Sequence, residues 1–410
     1  MMLAALFLWF AIAGLVSSTG FLLLLAVAVV RFRGRPRRAT PASKLPPVSV
    51  LKPLSGLEPG LEENLESFFR QDYPQFEIIF GARNAKDPAL SVVQAVRQRY
   101  QQVPVKIVLS GEPDRPNAKV CSLQKMYVQA SHDYLVISDS DVRVQPNYLR
   151  EVTSPLCDSK VGLVTCLYRG LPTGGCWSQL EALGMSVEMT SGVVVADRLE
   201  GMRFALGPTM AIRRDVLEAV GGFAALADHC ADDYLLGNKV YQAGYGVALS
   251  DHVIDHVACH RSFQGSLQHQ LRWMKSTRFS RPKGHIGTVL TFAMPFGLLG
   301  AAAGWAAGRP LLGLGLLAAA VLNRMIMAVV AGWGVVRDRR SLTGCWLYPL
   351  RDLLGFFVWQ ASFLGRTIVW RGERYRLEYG GKMTRIGGAP PAAACTDRPK
   401  SGTVAVDHLA

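Results

Sequence analysis

Asp139 and Asp141, in the stretch Ile137-Ser-Asp-Ser-Asp-Val-Arg143, lie one residue apart directly after the apolar run Tyr134-Leu-Val-Ile137. A buried strand that ends in Asp-x-Asp offers oxygen ligands at the mouth of a sheet. Hard divalent cations such as Mg²⁺ or Mn²⁺ favour carboxylate oxygens and commonly bridge them to substrate phosphates. The chemistry this suggests is metal-assisted reaction of a nucleotide diphosphate. A polar turn after a strand also uses Asp for its geometry alone, so the pair gains meaning only beside the rest of the chain.

Four further features accompany it. Asp87-Pro88 follows a second strand-like run, where the carboxylate can accept hydrogen bonds from a base or ribose, or simply cap a helix. Asp232-Asp233-Tyr234 opens a helical stretch. Paired acids there can serve the helix dipole; alternatively, one of two adjacent carboxylates, Asp233 by preference, can have its pKa raised and accept a hydroxyl proton. His269-Gln-Leu-Arg272-Trp273 stands close before an apolar segment. Arg272 can grip a diphosphate with two prongs, and Trp273 can wall a pocket, although Arg-Trp is also an interfacial anchor. Lys52 and Lys119 fall at strand or loop ends on the side of the acids, where a cation meets either phosphate or solvent.

Positioning these residues requires a sheet. From Pro46 to about Lys283, short β-rich runs alternate with helical stretches, the pattern of an α/β domain with a mainly parallel sheet. Strands are expected at 48–52, 77–82, 105–109 and entering Asp139, with helices at 88–101 and 118–131 between them. Asp87 and Asp139 then lie beyond the C-terminal ends of neighbouring parallel strands, the side where open α/β sheets bind ligands. After Asp141 the rhythm loosens, with strand-like runs at 161–167, 205–212 and 247–249 and helical stretches at 233–243 and 263–276.

Half of the 410 residues are hydrophobic, and they are unevenly spread. Residues 1–30 carry no charged side chain and suffice for a transmembrane helix. The basic residues come afterwards, as Arg31, Arg33, Arg35, Arg37 and Arg38, unlike a signal peptide with its basic start. They mark a basic linker (31–45) on the cytoplasmic flank and place the following domain, 46–285, in the cytoplasm. Membrane segments are expected over 286–370: Gly287 to Gly308, Leu311 to Val336, and a third, Leu342 to Trp370. Arg351, Asp352 and Arg366 make the third an interfacial or re-entrant segment, because charge is costly in hydrocarbon. A basic and then disordered tail, 371–410, would remain cytoplasmic.

The formal charge of +14 is concentrated beside apolar segments and near the C-terminus, which favours an anionic leaflet over nucleic acid as partner. Eight cysteines without a CxxC pair read as separate reduced thiols, consistent with a cytoplasmic domain, and argue against a zinc site.

In their order along the chain, Asp87, Asp139 and Asp141, Asp233 and Arg272-Trp273 resemble the inverting family 2/21 type of GT-A glycosyltransferases, and most of all the ceramide glucosyltransferase branch. Branch-like details are Val50-Leu-Lys-Pro-Leu-Ser-Gly56, Asp87-Pro88, Asp139-Ser-x-x-Arg143-Val144, Ala231-Asp-Asp-Tyr234, Trp370-Arg-Gly-Glu-Arg-Tyr-Arg-Leu377 and Gly380-Gly381. The resemblance implies a Rossmann-like GT-A domain between N- and C-terminal transmembrane helices. It also implies that Asp87 holds uridine, Asp139 and Asp141 hold the diphosphate through Mn²⁺ or Mg²⁺, Asp233 activates the acceptor hydroxyl, and Arg272 and Trp273 meet the leaving diphosphate. His269 stands where the pattern has Gln or Arg. The family often adds a histidine as metal ligand; His256 and His260 are candidates between which spacing does not choose, and a structural role is the better reading for either.

The implied reaction moves a hexose from a UDP-sugar, UDP-glucose or UDP-N-acetylglucosamine, to a lipid hydroxyl with inversion. Ceramide is the acceptor the branch points to. A bacterial-looking bias toward Ala, Gly and Arg offers another, N-acetylglucosamine transfer to a hopanoid polyol at a bacterial inner membrane. The C-terminal segments are too few and short for the channel of a processive polysaccharide synthase. A non-catalytic nucleotide-sugar-binding membrane protein is the reading from another class, which the intact acid set disfavours.

Overall fold

The computed structural model describes residues 2–35, 45–260 and 262–387; the tail expected to be disordered beyond 387, and Arg37 and Arg38 of the linker, lie outside the described residues. In chain order the elements of the first half are α1 (Met2–Arg33), β1 (Val48–Pro53), α2 (Leu61–Phe69), β2 (Phe76–Ala82), α3 (Ala89–Arg99), β3 (Val105–Leu109), α4 (Ala118–Gln129), β4 (Tyr134–Ile137), β5 (Val142–Arg143), α5 (Tyr148–Thr153) and β6 (Val161–Pro172). There follow α6 (Cys176–Gly184), α7 (Thr190–Glu200), β7 (Met210–Arg213), α8 (Arg214–Ala219), α9 (Asp232–Gln242), β8 (Gly246–Ala258) and α10 (Phe263–Ser280). The chain closes with α11 (Pro282–Gly287), α12 (Met294–Ala306), α13 (Pro310–Met327), α14 (Arg340–Thr343), α15 (Tyr348–Ala361), β9 (Thr367–Trp370), β10 (Glu373–Leu377) and β11 (Met383–Arg385).

Two units divide the chain. The sheet unit takes residues 36–167, 202–259 and 369–410. Its eight strands run in the order β3-β2-β1-β4-β7-β6-β8-β5. The β3-β2-β1-β4 half is parallel, with Leu51 registered on both Ile79 and Ile137. Strands β1, β2 and β4 are buried along almost their whole length, whereas the edge strand β3 is partly exposed. Past β4 the pairing turns antiparallel: Ile137 registers with Met210 of β7, and Val142 of β5 with His256 of β8. The loosened rhythm after Asp141 is this change of direction. Leu51, Ile79, Val108, Ile137, Leu163 and Ile212 from the strands form one core with Leu123 and Met126 of α4 and Leu236 and Val240 of α9.

Two sheet-unit features escape the sequence pattern. The strand expected over 247–249 runs to Ala258, since it pairs with β5 and so needs no alternation of its own. The basic segment after Trp370 is β-structured: β10 and β11 pair antiparallel, His229 bridges to Lys382, and Met383 N donates to Asp228 O at 2.8 Å. The closing motif thereby holds the loop that leads into Asp232.

The helical unit takes residues 1–35, 168–201 and 260–368. Helix α1, with 32 residues, and the segment Pro310–Trp333 are each long and apolar enough to cross a membrane. The expected span at 287–308 is a bent pair instead, α11 with its following turn and α12, inclined by 48°. The break falls before Pro295, which can open a helix but not continue one. Helix α15 has 14 residues, short of the roughly 20 needed to span. Its Asp352 pairs with buried Arg324 at 3.1 Å and accepts from the backbone N of Ala293 and Met294 at the start of α12. The stretch 176–200, for which the sequence shows no clear period, forms α6 and α7 joined through one π-helical turn.

Gly237 of α9 marks a contact the fold cannot relax: a Cβ there would lie 2.3 Å from Ala205 N and 2.4 Å from Phe204 C, both backbone. Gly237→Ala should cost about 1–3 kcal/mol through overpacking. A thermal scan of the purified full chain should show an apparent Tm several degrees lower, and an unchanged Tm would mean α9 is free to shift.

Candidate active site

The acids of the sheet unit gather where β1, β4 and α9 meet. Strand β1 delivers Lys52, whose side chain is wholly buried; its Nζ donates to the carbonyl of Asp139 at 2.6 Å and lies 3.7 Å from the centre of the Phe68 ring. Burial pulls this ammonium down to about 7, with Asp139, Asp141 and Glu58 opposing the fall. Lys52 is therefore spent on the backbone of the Asp-x-Asp turn and does not face solvent.

Lys119 is held at the start of α4, where Asn117 caps the helix by accepting from Val120 N at 3.2 Å. Its Nζ meets Asp139 Oδ1 at 2.6 Å and Asp232 Oδ2 at 3.8 Å. Burial works against this ammonium, but Asp139 and Asp232 outweigh it and hold the pKa above the ordinary lysine value. Asn117 also donates to the His229 carbonyl at 2.8 Å and to Asp232 Oδ1 at 3.3 Å.

Asp233 accepts from Gly207 N at 2.8 Å and from Tyr234 N at 2.7 Å. A Cβ placed on Gly207 would stand 3.2 Å from Asp233 Oδ2 and 3.7 Å from Asp139 Oδ2, so both carboxylates converge on this glycine. Burial, and then repulsion from Asp232, push the Asp233 carboxyl up to about 6, against Lys119 and its two backbone donors. A carboxyl with that pKa is mostly ionised at neutral pH and can still take up a proton.

Asp141 Oδ2 lies 3.0 Å from His256 Nε2. The β5–β8 register brings this imidazole to the Asp-x-Asp turn, although a structural role is the better reading of it from sequence. Glu58, absent from the sequence-derived set, accepts from Ser140 Oγ at 2.7 Å; burial and then Asp141 raise its carboxyl, partly offset by Arg371. Two carboxylates one residue apart, with an imidazole 3.0 Å from the second, form a donor set that fits a hard divalent cation. Asp139 and Asp141 would hold that ion, with His256 beside them.

Asp87 accepts from Gly56 N at 3.0 Å and Ala89 N at 3.0 Å, tying the loop after β1 to the first turn of α3. The carboxylate is thus used on backbone N–H groups at the entry to α3, in keeping with the structural alternative for this residue. His269, Arg272 and Trp273 lie on α10 of the helical unit. The His269 ring packs 4.4 Å from that of Trp273, and its Nδ1 meets Glu181 Oε1 at 2.6 Å. His260 meets the same oxygen at 3.2 Å.

An α/β unit with an Asp-x-Asp turn at the end of a parallel strand and a raised carboxyl at a helix start defines a GT-A glycosyltransferase. The chain belongs to glycosyl transferase family 21, whose family model matches residues 8–383. It is 24% identical over 352 residues to ceramide glucosyltransferase 1 of Caenorhabditis elegans, covering 84% of this chain and 75% of that one. A 101-residue stretch, 24% of this chain and 20% of the relative, is 40% identical to a ceramide glucosyltransferase of Komagataella phaffii. Among solved structures, a mannosyltransferase from Pyrobaculum calidifontis in complex with GDP-Man and Mn²⁺ superposes with a TM-score of 0.50 at 21% identity, over 85% of this chain and 98% of that one. The fold is GT-A.

Lys119→Met would leave Asp139 and Asp232 facing each other without their shared cation. With the Asp139 side chain 28% exposed, the cost should fall below the ~3–5 kcal/mol of breaking a fully buried pair. Thermal unfolding with a chelator present should show a lowered Tm, of which added Mn²⁺ restores a part; an unchanged Tm would show that the lysine holds nothing.

Proposed function

We propose that this chain is an inverting, membrane-bound enzyme that transfers a hexose from a UDP-sugar to the hydroxyl of a membrane lipid of the ceramide class. The observation that carries this reading is the convergence of Asp139 and Asp233 on Gly207, which sets a metal-ligating carboxylate beside a carboxyl poised to accept a proton. The names of the relatives support the acceptor class. The apolar segments of the chain, with Arg31 and Arg33 in the last turn of α1 and Arg35 just after it, support a catalytic unit on the cytoplasmic face, where a lipid presents its headgroup without leaving the bilayer.

In this reading Asp233 removes the proton from the attacking hydroxyl while the anomeric carbon passes from UDP to the lipid oxygen in one displacement. Its two backbone donors fix the carboxylate, and Asp232 keeps it basic enough for the task. When bound, a divalent cation neutralises charge on the departing diphosphate. Lys52 is a positioning residue that anchors the Asp139 turn, and Lys119 lies close enough to the acids to meet phosphate oxygens as they arrive. Asp87 would hold the uridine, and Arg272 and Trp273 of α10 the leaving diphosphate. His269 is the weakest member of the donor set, because its Nδ1 is already taken by Glu181.

Asp233→Asn should lower kcat by roughly 10²–10⁴-fold with little change in UDP-sugar affinity. In the unaltered chain kcat/KM should fall as pH drops through about 6, because a carboxyl raised to that value is protonated below it and cannot act as base. UDP release with Mn²⁺ and a membrane lipid extract, against the same mixture with chelator, reads the rate, and mass spectrometry of the lipids reads the product. Full turnover in the Asn variant would remove Asp233 from the mechanism; a glycosylated polyol in place of glycosylceramide would move the acceptor.

A further inference from the structure

Outside the acid cluster, the helical unit brings together one carboxylate and two imidazoles. Glu181 of α6 is only 2% exposed. Its Oε1 lies 3.2 Å from His260 Nδ1 and 2.6 Å from His269 Nδ1, and the two imidazole rings stack 4.4 Å apart, inclined by 30°. One ligand atom from each residue falls within 4.8 Å of the others.

The carboxylate is oriented from behind. Ser266 Oγ donates to Glu181 Oε2 at 2.7 Å and accepts from Gln270 Nε2 at 2.9 Å, so one oxygen is fixed and the other turned to the histidines. Such outer hydrogen bonds set the direction of a metal ligand. Burial penalises the Glu181 carboxylate, but the contacts from His260 and His269 prevail and hold it below the usual carboxylate range. Burial likewise keeps the His269 imidazole below its ordinary value, toward the neutral form a metal needs.

We propose that Glu181, His260 and His269 form a binding site for a borderline divalent transition-metal ion of the Zn²⁺ type, separate from the cation site at Asp139 and Asp141. The donor types decide the class of ion: two imidazoles and one carboxylate suit zinc, whereas Mg²⁺ and Ca²⁺ prefer oxygen. Size agrees as well. Tetrahedral ligands at about 2.0–2.1 Å from zinc stand about 3.3 Å from one another. The His260–Glu181 separation already matches at 3.2 Å, and the His269–Glu181 separation of 2.6 Å needs to open by about 0.7 Å to reach that tetrahedral spacing. Three protein ligands leave a fourth position for water. The missing cysteine pairs have no bearing on a site built of imidazole and carboxylate from segments far apart in sequence. Bound there, the ion would fasten α6 to the N-terminal half of α10, the helix that carries Arg272 and Trp273.

The test is a Zn²⁺ titration of the full chain, purified in detergent and stripped of metal, with bound metal counted by mass spectrometry and Tm followed in parallel. The expected result is about one tight Zn²⁺ per chain with a raised Tm, kept in Asp139→Asn/Asp141→Asn and weakened by more than about 100-fold in His260→Ala/His269→Ala. The first variant pair separates this site from the glycosyl-transfer site, so either proposal can fail alone. If the stripped, unaltered chain takes up no zinc beyond what the Asp139/Asp141 variant loses, the proposal is overturned, whatever the folding of the histidine variants.

Discussion

The candidate active site depends on how two buried ammonium groups are shared among crowded carboxylates. Asp139, Asp141, Asp232, Asp233 and Glu58 come from three segments of the sheet unit, and like charges at such range raise one another's cost of ionisation. Lys119 bridges two of the acids directly, between Asp139 and Asp232. Lys52 does different work, fixing the backbone of the Asp139 turn from below. Burial, and then the neighbouring carboxylate in each case, raises the carboxyls of Asp233 and Glu58. An incoming divalent cation would supply the charge that two lysines do not. Burial, and after it the crowding of acids, keeps Asp233 basic, and the same crowding would draw a divalent cation.

The parallel half of the sheet is legible in the sequence because its strands are short β-rich runs, mostly apolar, that alternate with helical stretches. Asp139 and Asp141 are legible for the same reason: Tyr134-Leu-Val-Ile137 ends in charge, and only the mouth of a sheet tolerates that. The antiparallel half is less so. His256 acquires its place through pairing with β5, a partner far away in sequence, and no local spacing distinguishes it from His260. Glu58 looks like an ordinary surface acid until Ser140 is brought against it. The closing motif after Trp370 is conspicuous in composition, but its service to the loop before Asp232 appears only when β10 and β11 pair.

In the helical unit, composition marks membrane segments better than it marks their breaks. The charges in α15 are the reason to doubt a third simple span, and the structure gives them partners. Asp352 neutralises Arg324 and also caps α12 at its first backbone N–H groups, where a helix start leaves donors unsatisfied. One buried acid thus explains why α12 can begin after a bend inside an apolar stretch. Arg351 is paired separately, with Glu188 at 2.7 Å. Charges that look prohibitive in a linear reading become the fastenings of the bundle.

The neighbours Asp232 and Asp233 show how position on a helix divides roles between identical side chains. Asp232 is almost fully buried and accepts from Asn117 while facing Lys119. These fixed partners lie at the start of α4. Asp233 lies one residue, or about 100° of helix, further round. It faces Gly207, where the absence of a side chain leaves room beside Asp139. Its own partners are two backbone N–H groups, which fix the carboxylate without neutralising it by a full charge. A proton arriving at Asp233 relieves repulsion from Asp232. The two neighbours thus differ in their partners, side chains for Asp232 and backbone N–H groups for Asp233, and the proposed base is the one held by backbone alone.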